Sequence, residues 1–279
     1  MQVFFYLLSS YFTQLIICDK NILIYFYFNI FNIVNFIKLG DVKMTSFVLK
    51  IIALITMFID HISYPLYGGS IVLNSIGRIA FPIFAFQISE GFIHTKNIKK
   101  YLLRLGIFAI ISQVPFQLFH FKFIDSNTIA LNVFFTLFFG LLSICIFDYI
   151  KNCFKKMQNY NNKLHLDLIF GFICTILIAI VAETLNTDYG FWGVIVVFMF
   201  YFFKENKLAM IISFITLCII KYGIQIIDYG FSIYYIIFCL CTMLPIIFIS
   251  LYNGKQGKKI KYLLYFFYPV HLLLLYLIF

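Results

Sequence analysis

The chain has 279 residues, of which 63% are hydrophobic and only 11% charged, too few polar groups to cover a soluble core of that size. Its formal net charge of +10 sits on lysines in short breaks between apolar stretches, which is a membrane-orientation pattern and not a nucleic-acid face. Strands of a membrane barrel would alternate apolar and polar residues, so the composition leaves an all-α, polytopic helical bundle with lipid as its solvent.

Residues 1–43 carry two apolar runs, 3–17 and 22–37, separated by Asp19 and Lys20. They read either as an extra hairpin or as sequence upstream of a start at Met44. No basic region precedes the first run and no small-residue site follows it, unlike a cleaved signal peptide. From Met44, apolar stretches near 47–64, 72–92, 101–119, 129–149, 164–182, 188–203, 208–222, 231–251 and 261–279 predict about nine transmembrane helices in a single domain over 44–279.

The breaks between these spans alternate in charge. Lys96, Lys99, Lys100 and Arg104 form one basic cluster; Lys151, Lys155, Lys156 and Lys163 a second; Lys204 and Lys207 a third; Lys255, Lys258, Lys259 and Lys261 a fourth. The intervening breaks carry at most one basic residue each. With the basic breaks cytoplasmic, and Lys38, Lys43 and Lys50 at the inner start of the first span, Phe279 is expected outside a bacterial cell membrane.

An ionisable side chain within a span costs several kcal/mol unless paired or hydrated, which singles out Asp60, His61, Arg78, Glu90 and His271. His61 lies roughly 21 Å along the first span and Arg78 roughly 9 Å into the second from its opposite end, placing both at a similar depth. Lys50 and His61 are eleven positions apart, about three turns and roughly 16 Å on one helix face. A cation at the inner end and an imidazole deeper in suit an acyl-CoA, with phosphates at the surface and the pantetheine arm threaded inward. Histidine is a general-base candidate because it titrates near neutrality. Asp60 either orients His61 or pairs with Arg78, since consecutive helical residues point about 100° apart.

Glu90 falls near the depth of Lys50 and either neutralises it or touches a ligand. Lys99 and Lys100 are candidate contacts for CoA phosphates. Asn132 and Thr136, one turn apart, are candidates for an acceptor pocket. The alternative for each is a structural role: an ion pair, a topology signal or an interhelical hydrogen bond. The seven cysteines are odd in number and mostly within apolar stretches, with no zinc spacing, so no metal site is expected. His94, His120 and His165, at span ends, call for no special role.

Several segments resemble the TraX family of membrane proteins, linked to N-acetylation of conjugative pilin: LKIIALITMFIDHI (49–62), IGRIAFPIFAFQISEGF (76–92), SQVPF (112–116), NVFFTLFFGLL (132–142), DYGFWGV (188–194) and KYLLYFFYPVHLL (261–273). The resemblance covers nearly all of 44–279. That family is distantly similar to a large group of membrane acyltransferases, among them sugar O-acetylases, which carry a basic residue and a histidine separated by ten residues on the first helix. Lys50 and His61 have this spacing, with lysine where arginine is usual. Tyr268 and His271 resemble the last helix of that group, which implies substrate contact.

The expected function is therefore acyl transfer from cytoplasmic acetyl-CoA to an amine or hydroxyl acceptor at the outer face, a peptide, pilin or glycan. His61 serves as base, with Asp60 beside it, and Arg78 stabilises the oxyanion. Two other classes remain open: a proton-coupled transporter, which also buries Asp, His, Arg and Glu, and a non-catalytic subunit of a conjugation or pilus assembly system.

Overall fold

The computed structural model describes residues 44–156 and 165–279; the apolar runs 3–17 and 22–37, and Lys163, lie outside the described residues. Thr45–Phe279 forms one compact unit. Its elements in chain order are α1 (Ser46–Tyr67), α2 (Ile71–Gly77), α3 (Ala80–His94), α4 (Ile98–Phe123), α5 (Val133–Lys156), α6 (Leu166–Thr184), α7 (Gly190–Phe202), α8 (Lys207–Tyr229), α9 (Ile233–Met243), α10 (Pro245–Ser250) and α11 (Lys261–Ile278). Among the described residues there is no strand, and an isolated bridge joins Leu131 to Thr187.

Among the described residues, seven helical segments are long and apolar enough to cross a membrane, with α2 and α3 counted as one and α9 and α10 as another. Two further apolar helices, at Gly190–Phe202 and Tyr262–Ile278, are shorter. Each expected span thus has a helical counterpart, but the expectation of about nine full crossings is met by seven long helices and two short ones. The arrangement fits a multi-pass membrane protein.

Local chemistry sets the boundaries. Thr45 caps α1 by accepting from the Val48 amide at 3.4 Å, and the chain leaves that helix through Gly68 at φ 62°, a left-handed turn that glycine adopts without penalty. The Ser46 and Phe47 amides, orphaned at the start of α1, donate to the carbonyls of Lys255 and Gln256 at 2.9 and 3.1 Å, tying the 251–260 segment over that end. Asn97 and Asn206 cap α4 and α8 in the same way as Thr45, accepting from Lys100 and Ala209.

The expected continuous span 72–92 is broken. Pro82 has no N–H to offer the Arg78 carbonyl, and its ring crowds that carbonyl, so a regular helix cannot run through. The chain instead makes a tight turn, with Arg78 and Ile79 amides bonded to the carbonyls of Ser75 and Ile76 at 3.2 and 3.1 Å, and restarts as α3. Pro245 divides α9 from α10 in a comparable manner.

The core centres on α7, which packs against α3, α5, α6 and α8. Its 13 residues span only about 20 Å, short of a hydrocarbon core of about 30 Å. Val194, Val197 and Phe198 are almost wholly buried, so the helix meets protein where a peripheral span would meet lipid. Gly140 on α5 lets the two backbones approach: a Cβ there would come within 2.7 Å of Val197. α11 closes the unit by packing on α4 and α1, bringing the last helix beside the first.

Candidate active site

The packing of α11 on α1 pairs two histidines. His61 Nδ1 lies 2.8 Å from His271 Nε2, and His271 Nδ1 lies 2.7 Å from the Phe267 carbonyl. A carbonyl can only accept, so His271 Nδ1 carries the proton and donates to it; in a neutral ring the His271 Nε2 is then an acceptor, and His61 Nδ1 must donate to it. His61 Nε2 is left with its lone pair available. Phe119, edge-on to His61 at 5.6 Å, and Tyr268, at 6.1 Å between ring centroids, restrict how the imidazole can turn.

Two cavities meet at this level. The first, of about 430 Å³, opens at the end of the bundle where α1 begins and is lined by Lys50, Gln87, Glu90 and Arg104, among others. The second, of about 370 Å³, lies toward the opposite end and is lined by Asp60, His61, Arg78 and Asp188, among others. Met57, Phe84, Val133 and Tyr268 line both. The cavities therefore stand back to back, with those four residues as the partition.

The first cavity is rich in hydrogen-bond donors. The Gln87 side chain accepts from Ser46 Oγ at 2.6 Å, but its amide nitrogen is buried without a partner, as is Nε of Arg104. Unpaired buried donors are costly, and these two suit a ligand rich in carbonyl or phosphate oxygens. At the mouth, Glu90 meets His94 at 3.3 Å and accepts from the Tyr252 hydroxyl; burial first, and then the Glu90 charge, push that phenol up to about 12. The helical i,i+4 spacing of Glu90 and His94 is the sequence signal for this pair, masked by the position of His94 at a span end. Arg104, read as a topology signal, proves to be a lining residue with its guanidinium over the Tyr101 ring.

In the second cavity Asp60 and Arg78 approach from α1 and the α2–α3 turn. One Asp60 oxygen and the Arg78 Nε are buried without hydrogen-bond partners. Asp60 packs against Gly77, where any side chain would collide with it, and the Arg78 guanidinium lies 5.1 Å over the Phe238 ring. Asp188 adds a second carboxylate from the link between α6 and α7. It keeps an exposed surface, yet the surrounding protein raises it above the ordinary carboxylate range, with Arg78 and then Lys221 pulling the other way. Lys221, near the end of the expected span 208–222, sits 4.1 Å over the Trp192 ring and 5.1 Å over that of Tyr189, a cation–π setting.

The other expected site residues separate. Lys50 and Glu90 line the first cavity and Tyr268 lines both, while His271 stands behind His61. Lys99 and Lys100 are exposed and do not line either cavity. Asn132 is buried and fully used: its Nδ2 donates to the Ala109 carbonyl and to Gln113 Oε1, both at 2.8 Å, and its Oδ1 accepts from the Phe134 amide at 3.0 Å. Thr136 accepts from the Tyr189 amide at 3.3 Å. Both residues brace the interface of α5 with its neighbours and lie outside the cavity linings.

The TraX protein family matches residues 46–279. The chain belongs to the TraX family. It is also 30% identical over 251 residues to a protein of Dichelobacter nodosus named "Probable fimbrial assembly protein FimC, serogroup H1", covering 84% of this chain and 96% of that one. No solved structure matches it. Within this TraX-family chain the matched region contains both cavities and the histidine pair.

Proposed function

We propose that the chain is a membrane acyltransferase that moves an acetyl group from acetyl-CoA in the first cavity to an amine or hydroxyl in the second. The observation that carries this reading is the position of His61: its free Nε2 belongs to a residue of the second cavity, one partition away from a donor-lined cavity entered past Lys50. Coenzyme A phosphates lie near Lys50 and Arg104, the pantetheine amides meet Gln87, and the thioester reaches the partition. His61 Nε2 takes the proton of the acceptor as its nitrogen or oxygen attacks the thioester carbonyl carbon. The new bond forms, the carbonyl electron pair moves onto oxygen, and collapse expels the thiolate, which recovers the proton from His61. Asp60 and Arg78 hold the acceptor.

The basic helix ends favour a bacterial cell membrane with the first cavity toward the cytoplasm. The histidine relay favours transferase over proton-coupled carrier, because it ends on the Phe267 carbonyl, which cannot pass a proton on. The name of the Dichelobacter relative favours a pilus-related acceptor, and it equally supports a second reading, a non-catalytic subunit of pilus assembly. Calorimetry with acetyl-CoA and label transfer from radiolabelled acetyl-CoA in inside-out membrane vesicles separate the two. Saturable binding weakened in Lys50→Ala, with transfer lowered about 10²–10⁴-fold in His61→Ala at unchanged expression, is expected. Folded wild-type protein that does not bind acetyl-CoA would move the assignment to the assembly subunit.

A further inference from the structure

Each element of the proposed chemistry has a residue except the one that meets charge developing on the thioester oxygen. Arg78 was the sequence-based candidate, but it stands on the acceptor side, held by the turn before α3 and lying over Phe238. The thioester must instead sit at the partition, the boundary that the pantetheine arm reaches from one side and the acceptor from the other.

Of the four partition residues, Met57, Phe84 and Val133 offer only apolar side chains. Tyr268 alone brings a side-chain donor. It is 3% exposed, and its hydroxyl is buried without a hydrogen-bond partner within geometric limits; the nearby Val133 amide can only donate toward the hydroxyl oxygen and leaves the hydroxyl proton with no acceptor. The ring is held in place, edge-on to Phe134 at 5.3 Å and to His271 at 5.8 Å between centroids, and it lies 6.1 Å from His61. A buried hydroxyl with an idle proton costs free energy in the folded protein, and it is the arrangement expected of a donor fixed in advance for an oxyanion.

We infer that the Tyr268 hydroxyl is the oxyanion donor of this site, giving its hydrogen bond to the thioester oxygen as the tetrahedral intermediate forms. The inference rests on the acyl-transfer reading. In the attack step the carbonyl electron pair moves onto oxygen and is met by the phenol O–H, which keeps its proton; His61 handles the proton of the acceptor, and both changes reverse as the thiolate leaves. Tyr268 is thus distinct in role from His61 and from the acceptor-side pair Asp60 and Arg78.

The test is Tyr268→Phe, which keeps the ring and removes only the hydroxyl, assayed by label transfer from radiolabelled acetyl-CoA in inside-out vesicles. The expected result is a kcat lowered by about 10²–10³-fold with KM for acetyl-CoA little changed, since the hydrogen bond to the bound thioester carbonyl is weak and strengthens as charge develops on its oxygen in the transition state. Wild-type infrared difference spectra with carbonyl-labelled acetyl-CoA give a second measurement that needs no variant: the bound thioester carbonyl should absorb at lower frequency than the free one. Undiminished kcat in a folded Tyr268→Phe protein, or no frequency shift on binding to wild type, overturns the inference and leaves the transferase reading standing. Absence of transfer by wild type overturns that reading, and this inference with it.

Discussion

His271 has no free nitrogen for a substrate: one ring atom faces the Phe267 carbonyl and the other faces His61. It acts through His61 by fixing which nitrogen of that ring is basic. His271→Phe should lower kcat by about 10²-fold, a share of the 10²–10⁴ that a positioned base contributes, and leave KM unchanged. His271→Gln, whose amide oxygen can accept from His61 Nδ1, should recover part of the loss; steady-state kinetics of the two variants in vesicles decide it, and equal losses would argue for packing alone. The sequence made His61, Arg78, Lys50 and His271 visible as ionisable groups in apolar stretches. It did not reveal that His61 leans on His271 and not on Asp60, because those rings are 210 positions apart and no local periodicity reports which helices touch. Arg104 and Lys221 were hidden for another reason: basic residues near span ends already have a sufficient explanation in membrane orientation, so nothing in their spacing called for a second one.

At the level of elements, apolar length located the spans well but said little about how deeply each is buried. The segment of α7 has the same composition as a lipid-facing helix, and what sets it apart is its partners. Gly140 shows how narrow the tolerance is. A methyl group added there meets the buried Val197 side chain, so Gly140→Ala should destabilise the protein by about 1–3 kcal/mol, the usual cost of overpacking. Thermal unfolding in detergent is the measurement, with Gly223→Ala, where an added Cβ meets nothing within 4 Å, as the comparison that should move little. Pro82 marks the break before α3, but a proline alone does not tell a break from a kink, because prolines are tolerated within membrane helices. The consequence of the break is specific: the turn brings Arg78 off the helix path and into the lining of the second cavity with Asp60.

For the whole molecule, the alternation of basic and non-basic helix ends implies one orientation, and the two cavities give that orientation a chemical meaning. Single cysteines at Lys99, beside the first cavity, and at Thr128, which lines the second, test it in a background without the native cysteines. A thiol reagent that cannot cross membranes should label Thr128→Cys in intact cells and Lys99→Cys only in inside-out vesicles; the reverse pattern would turn the donor side outward. Both the TraX match and the compact unit begin within two residues of Met44.

The partition also bears on the energetics of the membrane itself. Each elementary charge moved through a potential of 100 mV exchanges about 2.3 kcal/mol with the field, so a pore joining the two cavities would couple turnover to the voltage and dissipate it. In the proposed reaction an acetyl group passes Met57, Phe84, Val133 and Tyr268 in exchange for the acceptor's proton, which ends on the departing sulfur, so no net charge crosses and the coenzyme's anionic portion stays on its own side. Such a transferase works at the same rate in an energised and a de-energised cell, and it modifies the far surface without leaking ions.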